Sequence, residues 1–408
     1  MAWQPPARPV WLERLIAHGA AAGGAERLVS LDGAELLETA ARSAGQDDFG
    51  PGGWRASYDV LVASLESESR LHVAGRLLAR TELLRSLRNR LALTELWRRR
   101  PGILEAPLDP PIFVVGAPRT GTSILQELLA CDPETRAPAM WEMLHPVESL
   151  AGADALPVAD ATVQLWHDLQ PEYETMHANS GALPNECIFI TMNEFLSDQW
   201  SGCHVVPTYD AHLRRADHRD AYRFHRKVLQ TLQQRARGRR WVLKAPSHLG
   251  QLRALFAVYP EARIVHIHRD PLRCLPSALS LMGTLKWMRC EAVDLGPAIA
   301  GLPRGYAAMF RHEIEQRAVG ALPDAQFCDV RYADLMRDPV GTVEALYERL
   351  GLALGEAARR AMIEHLARRP RGAHGAHRYG LDEFGLDPAA LREAFRFYTA
   401  RFDVPEEA

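Results

Sequence analysis

The chain has 408 residues, 47% apolar and 24% charged, with a formal net charge of −3. This suits a soluble globular protein of one large domain or two smaller ones and gives no bulk electrostatic pull towards nucleic acid. No apolar run approaches the roughly 18 residues of a membrane span, and the N-terminus lacks the unbroken apolar stretch of a secretory signal. Six scattered cysteines with no C-x-x-C pair read as reduced thiols of a cytoplasmic protein, not as a disulfide frame or zinc site. Of 48 basic residues, 45 are Arg and three are Lys: Lys227, Lys244 and Lys286. In so Arg-biased a chain, each Lys raises the question of why Arg does not serve.

Residues 1–105 read as all-helical. Val10–Ala22 is amphipathic, and Asp32 can cap a second helix with Glu35 three residues on. Trp54–Glu66 and Arg70–Arg99 carry apolar residues at helical spacing, and Pro101-Gly102 ends the last of these helices. This region reads as a cap or support layer. The pattern then changes. Ile112–Val115 is a short apolar run closed by Gly116, as a buried parallel strand requires, and Trp241–Leu243, Arg263–Ile267 and Gln326–Val330 read likewise. The helices Leu249–Tyr259, Pro276–Leu285 and Tyr306–Ala318 separate the last three strands. The expected fold is α/β: a P-loop-like three-layer arrangement with a central parallel sheet, a helical N-terminal region and a mostly helical insertion. The expected divisions are residues 1–105 as the cap and 106–408 as the catalytic domain, with 141–239 inserted over the carboxyl edge of the sheet, where open α/β folds bind ligands.

The first strand runs into Gly116-Ala117-Pro118-Arg119-Thr120-Gly121-Thr122-Ser123, followed by a helix. Strand, loop and helix in this register aim backbone N–H groups at an anion. Thr122 stands where a Walker lysine would, which argues against an ATP-dependent kinase; Arg119 supplies the positive charge and can bind a sulfate or phosphate bidentately. After the third strand come His268-Arg269-Asp270-Pro271 and then Ser277, eight residues beyond Arg269; both can reach one phosphate.

Together the two segments resemble the sulfotransferases that use 3′-phosphoadenosine 5′-phosphosulfate (PAPS), nearest to the bacterial-type branch. The resemblance covers about 111–401. It implies that the first loop, Arg119, Thr120, Gly121, Thr122 and Ser123, grips the 5′-phosphosulfate, and that Arg269 and Ser277 grip the 3′-phosphate. Trp241-Val-Leu-Lys244-Ala-Pro-Ser-His248 resembles a strand whose terminal Lys contacts the transferring group. Val330-Arg-Tyr332-Ala-Asp334-Leu335 resembles the segment whose Tyr lies near the adenine. His377-Arg378-Tyr379 and Phe384-Gly385-Leu386 match the branch's C-terminal stretch, and the basic loop that closes on the 3′-phosphate would lie within Arg368–Arg378, with Arg371 and Arg378 as its donors. The implied product is adenosine 3′,5′-bisphosphate, and the implied partner is a small-molecule acceptor. No nucleic acid is expected, and a homodimer is allowed.

Sulfuryl transfer needs in-line positioning and stabilised charge. No ligand spacing such as H-E-x-x-H occurs, so metal-free transfer is expected. Arg119 and Lys244 are the expected electrophilic residues; Lys244 is a compact, rotatable donor that can follow charge from the sulfonate to the bridging oxygen. Candidates for the base are Glu142, His145, Glu186, His248 and His268. Glu142 stands first, since some relatives place a catalytic Glu near this distance from the loop, and Trp141 could desolvate it. His248, four residues after Lys244, is the alternative. Phe189, Phe195 and Trp200, with Tyr173 and His177, either line an apolar acceptor pocket or form the core of the insertion. Two rival readings, a P-loop kinase and a non-catalytic nucleotide-binding protein, need different features: the first a loop lysine, the second no base.

Overall fold

The computed structural model describes residues 3–151, 155–176, 179–235, 240–368 and 380–407. Five parallel strands form one sheet: β1 (Ile112–Val115), β2 (Thr135–Arg136), β3 (Arg240–Lys244), β4 (Arg263–His268) and β5 (Phe327–Arg331), in the order β2-β3-β1-β4-β5. Ile112 pairs with both Val242 and Arg263, which makes β1 the central strand. The four expected strands are present; β2 is an additional two-residue edge strand with no sequence pattern of its own.

Alternation along each strand sends its side chains to two separate cores. Ile112 and Val114 of β1 join Val242, Val265 and Ile267 in a cluster sealed by Leu125, Leu128 and Leu129 of the helix after the loop, and by Val343 and Leu346. Phe113 and Val115 face the other way. There they join a larger cluster with Leu243, Ile264, the N-terminal residues Leu83, Leu87 and Leu91, and the insertion residues Phe189, Phe195 and Trp200. The N-terminal helices and the insertion are thus packed on one face of the sheet through one core.

The local signals act as expected at Asp32, whose side chain accepts the Glu35 N–H at 2.8 Å at the start of the helix Gly33–Ala44. The long helix runs over Val73–Arg99, two turns of it pinned by buried ion pairs, Arg90 with Glu194 and Arg289 with Glu82. Two helices begin earlier than their apolar spacing indicates. Pro271–Trp287 starts five residues ahead of Pro276 because Asp270 caps it and Pro271 suits the first turn. Gly296–Ala318 likewise contains Pro303. The helix expected over Leu249–Tyr259 is a 3₁₀ segment, Pro246–Gln251, followed by Leu252–Val258. Among the described residues no helix is long and apolar enough to cross a membrane, and all six cysteines are free.

Several histidines are buried without charge. Burial pushes His72 and His225 down to about 3 and His204 down to about 4. Released by unfolding, each titrates near 6.5. Below that pH the unfolded chain binds more protons than the native one, so stability is complete above about 6.5 and is lost as pH falls through the folded values. The melting temperature should therefore drop progressively from about pH 6.5 towards pH 4 in thermal unfolding followed by circular dichroism; a flat profile across that window would contradict the burial of these rings.

Candidate active site

The carboxyl ends of four adjacent strands supply the candidate site. β1 ends in the Gly116–Gly121 loop, β3 in Lys244, β4 leads into Arg269 and β5 into Tyr332. A parallel sheet opens its ligand crevice at this edge, because the strand ends are the places not covered by packed helices.

The loop is held in a conformation with three positive φ angles: Gly116 at 155°, Arg119 at 72° and Gly121 at 88°. At Gly116 a Cβ would stand 2.8 Å from the Ile267 carbonyl; at Gly121 it would stand 3.0 Å from the Tyr332 ring. Both positions thus demand glycine. Thr120 Oγ1 closes the turn by donating to the Ala117 carbonyl at 2.8 Å. The helix Thr122–Leu129 then starts directly from Gly121, so the first N–H groups of that helix face the rim.

Arg119, the one residue of this loop in left-handed backbone that is not glycine, is fixed from both ends. Its side chain donates from Nε to Ser277 Oγ at 3.1 Å and from Nη1 to the Met176 carbonyl at 2.8 Å. Its own carbonyl accepts from Arg269 Nη1 at 2.6 Å. Arg269 also lies over the Tyr332 ring, 3.9 Å from the centroid. The structure therefore brings Arg119, Arg269, Ser277 and Tyr332 together. Ser277 sits in the second turn of its helix, not at the N-terminus. Arg269 does not pair with Asp270; the Asp270 carboxylate accepts from Leu272 N–H at 2.9 Å, and Arg269 pairs with Glu407, 2.8 Å away.

Lys244 is buried, and its ammonium donates to Glu186 Oε1 at 2.8 Å and Ser123 Oγ at 3.2 Å. Ser123 belongs to the loop helix, so Lys244 and Glu186 join the same polar string. Glu186 keeps 18% of its side chain exposed and is the carboxylate nearest the loop on this string. Glu142 is placed differently. One of its oxygens is paired with Arg136 and the other accepts the Ala139 N–H at 3.0 Å, while Arg136 stacks 4.7 Å from the Trp241 ring. Trp241 and Lys244 project to opposite faces of β3 by alternation. His248 is buried, shares a hydrogen bond of 2.7 Å with the Tyr222 hydroxyl, and meets the Phe113 ring edge-on at 5.0 Å. Burial pushes its pKa well below the usual histidine range, with His225 and Lys244 adding in the same direction. His268 is tied to Tyr398 at 3.1 Å and Asp329 at 3.0 Å.

Phe189, Phe195 and Trp200 are buried within the large core. Phe384 of the C-terminal stretch packs against Leu279, on the helix that carries Ser277. His177, Arg371, His377, Arg378 and Tyr379 lie outside the described residues; Arg368 ends an exposed helix turn.

One cluster escaped the sequence reading. His266, His268 and Asp329 bring ligand atoms within 4.8 Å of one another. The spacing is that of alternate residues on β4 facing Asp329 in register on β5, which no linear motif expresses. A guanidinium already stands there as the cation: Arg317 donates to Asp329 at 2.7 and 2.9 Å and to Glu313 at 3.1 Å.

Comparison with known proteins settles the class. A model described as the sulfotransferase family matches residues 110–356. The chain belongs to the sulfotransferase family. Sulfotransferase STF1 from Mycobacterium tuberculosis H37Rv superimposes with a TM-score of 0.77 at 31% identity, covering 88% of this chain and 97% of its own. Sulfotransferase STF9 from Mycobacterium avium gives 0.78 at 26% identity, over 92% and 97%. A curated relative, omega-hydroxy-beta-dihydromenaquinone-9 sulfotransferase Stf3 from Mycobacterium bovis and Mycobacterium tuberculosis, is 28% identical over 316 residues, 70% of this chain and 79% of the relative. The kinase and non-catalytic alternatives are set aside, and the sulfotransferase has the expected P-loop-like α/β fold.

The left-handed Gly121 gives a direct test of the loop. Gly121→Ala should destabilise this sulfotransferase by about 1–2 kcal/mol in urea unfolding, since the new Cβ meets both an adverse φ and the Tyr332 ring. An unchanged midpoint would mean the loop relaxes freely.

Proposed function

We propose that the protein transfers the sulfuryl group of PAPS to a hydroxyl of a small hydrophobic acceptor, without a metal. One observation carries the reading: Arg269 Nη1 holds the Arg119 carbonyl at 2.6 Å while Arg119 Nε holds Ser277 at 3.1 Å, so both anion grips share one rim. A single nucleotide with phosphates at both ends fits such a pair of grips. The loop supports the same fit, since its positive φ angles at Gly116, Arg119 and Gly121 turn a strand end tightly into a helix start, the arrangement in which backbone N–H groups gather around an anion.

In this reading Arg119, Thr120, Gly121, Thr122 and Ser123 hold the 5′-phosphosulfate, and Arg269 with Ser277 holds the 3′-phosphate. Tyr332, already stacked on Arg269, flanks the adenosine. Arg371 and Arg378 are proposed to close over the 3′-phosphate. PAPS supplies the sulfuryl group on a good leaving group; the chain supplies position and charge. Lys244 neutralises charge on the sulfonate and the bridging oxygen, from a site where burial strengthens each electrostatic contact. Glu186 takes the acceptor's proton. Its partner in the resting state is Lys244, and once the sulfonate draws the ammonium away, the carboxylate is released as a base. Glu142 takes the structural part, balancing Arg136. His248, neutral and tied to Tyr222, packs edge-on against Phe113 and takes a structural part. The hydrophobic acceptor follows the curated relative, whose name specifies a hydroxylated menaquinone. A cytoplasmic setting, where thiols stay reduced, suits the free cysteines.

Adenosine 3′,5′-bisphosphate at about a hundred times its Kd should add about 2.7 kcal/mol of stability, and a thermal-shift comparison in which magnesium-ATP outperforms it would overturn the donor. Glu186→Gln should lower kcat by about 10²- to 10⁴-fold with bisphosphate affinity retained. Glu142→Gln should instead lower stability by about 1–3 kcal/mol, because Arg136 loses a charged partner in a partly buried pair; if the kinetic loss falls on Glu142 and spares Glu186, the base is Glu142. Turnover should persist in excess chelator.

A further inference from the structure

The guanidinium assigned above to the 3′-phosphate is already occupied by a carboxylate of the same chain, Glu407. Arg269 donates from Nε to both Glu407 oxygens, at 2.8 and 3.1 Å, and from Nη2 to Oε2 at 2.8 Å. This is a planar fork on a carboxylate, the same donor edge a phosphate would take. The Glu407 N–H donates to the second oxygen of Asp270 at 3.0 Å, while the first oxygen caps the helix that carries Ser277. The tail therefore reads the strand-end turn Arg269-Asp270 with both its backbone and its side chain.

The hold is local. The helix Pro388–Phe402 ends at Asp403 in left-handed backbone, and Val404 is the last buried apolar residue. Beyond it, Pro405 and Glu406 are exposed, and Glu406 makes one ion pair, with Arg392 at 3.1 Å. An exposed pair of this kind contributes about 0.2–1 kcal/mol. On its N-terminal side the stretch that delivers Glu407 is thus anchored by Val404 and the exposed Glu406 pair, and Glu407 itself is held by the Asp270 and Arg269 contacts. An open groove of ≈ 560 Å³ runs beside it, lined by Asp270, Arg392, Arg396 and residues 404–406, with room for the tail to move aside.

We propose that Glu407 is an internal stand-in for the nucleotide's 3′-phosphate: its carboxylate keeps Arg269 charge-balanced and correctly aimed in the empty enzyme, and donor binding proceeds by displacing it. This rests on the donor reading above. Two roles follow from one contact. Arg269 stays oriented over Tyr332 and against the Arg119 carbonyl, and ligands that cannot compete for the fork meet a closed 3′ site. Apparent affinity falls by the fraction of molecules with the fork free.

Calorimetric titration of the full chain and of Glu407→Gln, with adenosine 3′,5′-bisphosphate and with adenosine 5′-monophosphate, tests this. If the fork is free in about one molecule in ten, the variant should bind the bisphosphate about tenfold more tightly, with the monophosphate affinity the same in both proteins. Bisphosphate binding that is equal or weaker in the variant would overturn the proposal and make Glu407 a strut that Arg269 needs. Tightening of both nucleotides alike would overturn it too, since the tail would then cover the whole site and not imitate a phosphate. If neither protein binds the bisphosphate, the donor reading fails, and this proposal falls with it.

Discussion

The hydrogen bond from Arg269 to the Arg119 carbonyl ties the end of β4 to the loop of β1, and the rest of the site is arranged around it. Arg119 is a non-glycine residue at φ 72°, a conformation that costs about 1–2 kcal/mol. A bond from a charged donor contributes about 1.5–3 kcal/mol, enough to offset that cost. The bond at 2.6 Å is short and partly shielded from water. It leaves the Arg119 side chain free to turn towards Ser277 and Met176. Loss of Arg269 would therefore disturb the loop after β1 as well as the turn after β4.

The sheet imposes the other constraint. Apolar cores close most of both faces, and apart from the Arg317 network around His266 and Asp329 the open polar positions fall at the strand ends. Lys244 shows what this entails. Its side chain is only 2% exposed, and Glu186 is the counter-charge that makes such burial tolerable. The scarcity of lysine in the chain takes on meaning here. A guanidinium would need to satisfy a wide planar fork in a space where one ammonium reaches Ser123 and Glu186.

Much of this was legible in the sequence, for identifiable reasons. Four strands announce themselves as short, mainly apolar runs closed by a glycine or a basic residue, Gly116, Lys244, His268 and Arg331, and the loop between Gly116 and Ser123 carries its own conformational demands in its glycines. The edge strand β2 was not legible: two residues, Thr135 and Arg136, become a strand only through pairing with Arg240 and Trp241. The approximate distance of Glu142 along the chain from the loop carries no direction; a partner six residues earlier turns its carboxylate to Arg136. Glu186 faces a lysine 58 residues away, and Glu407 an arginine 138 residues away. Contacts of that span leave no periodicity to read. Asp270 and Pro271 did encode the true start of their helix, and Pro276 obscured it.

The brevity of β2 bears on how copies of this molecule can meet. A long, bare outer strand is a template on which a second chain can continue the sheet. Here that margin offers only two residues, Thr135 and Arg136, and the side chain of Arg136 is turned inward to Glu142 and the Leu232 carbonyl. Association along that side must use helix surfaces instead.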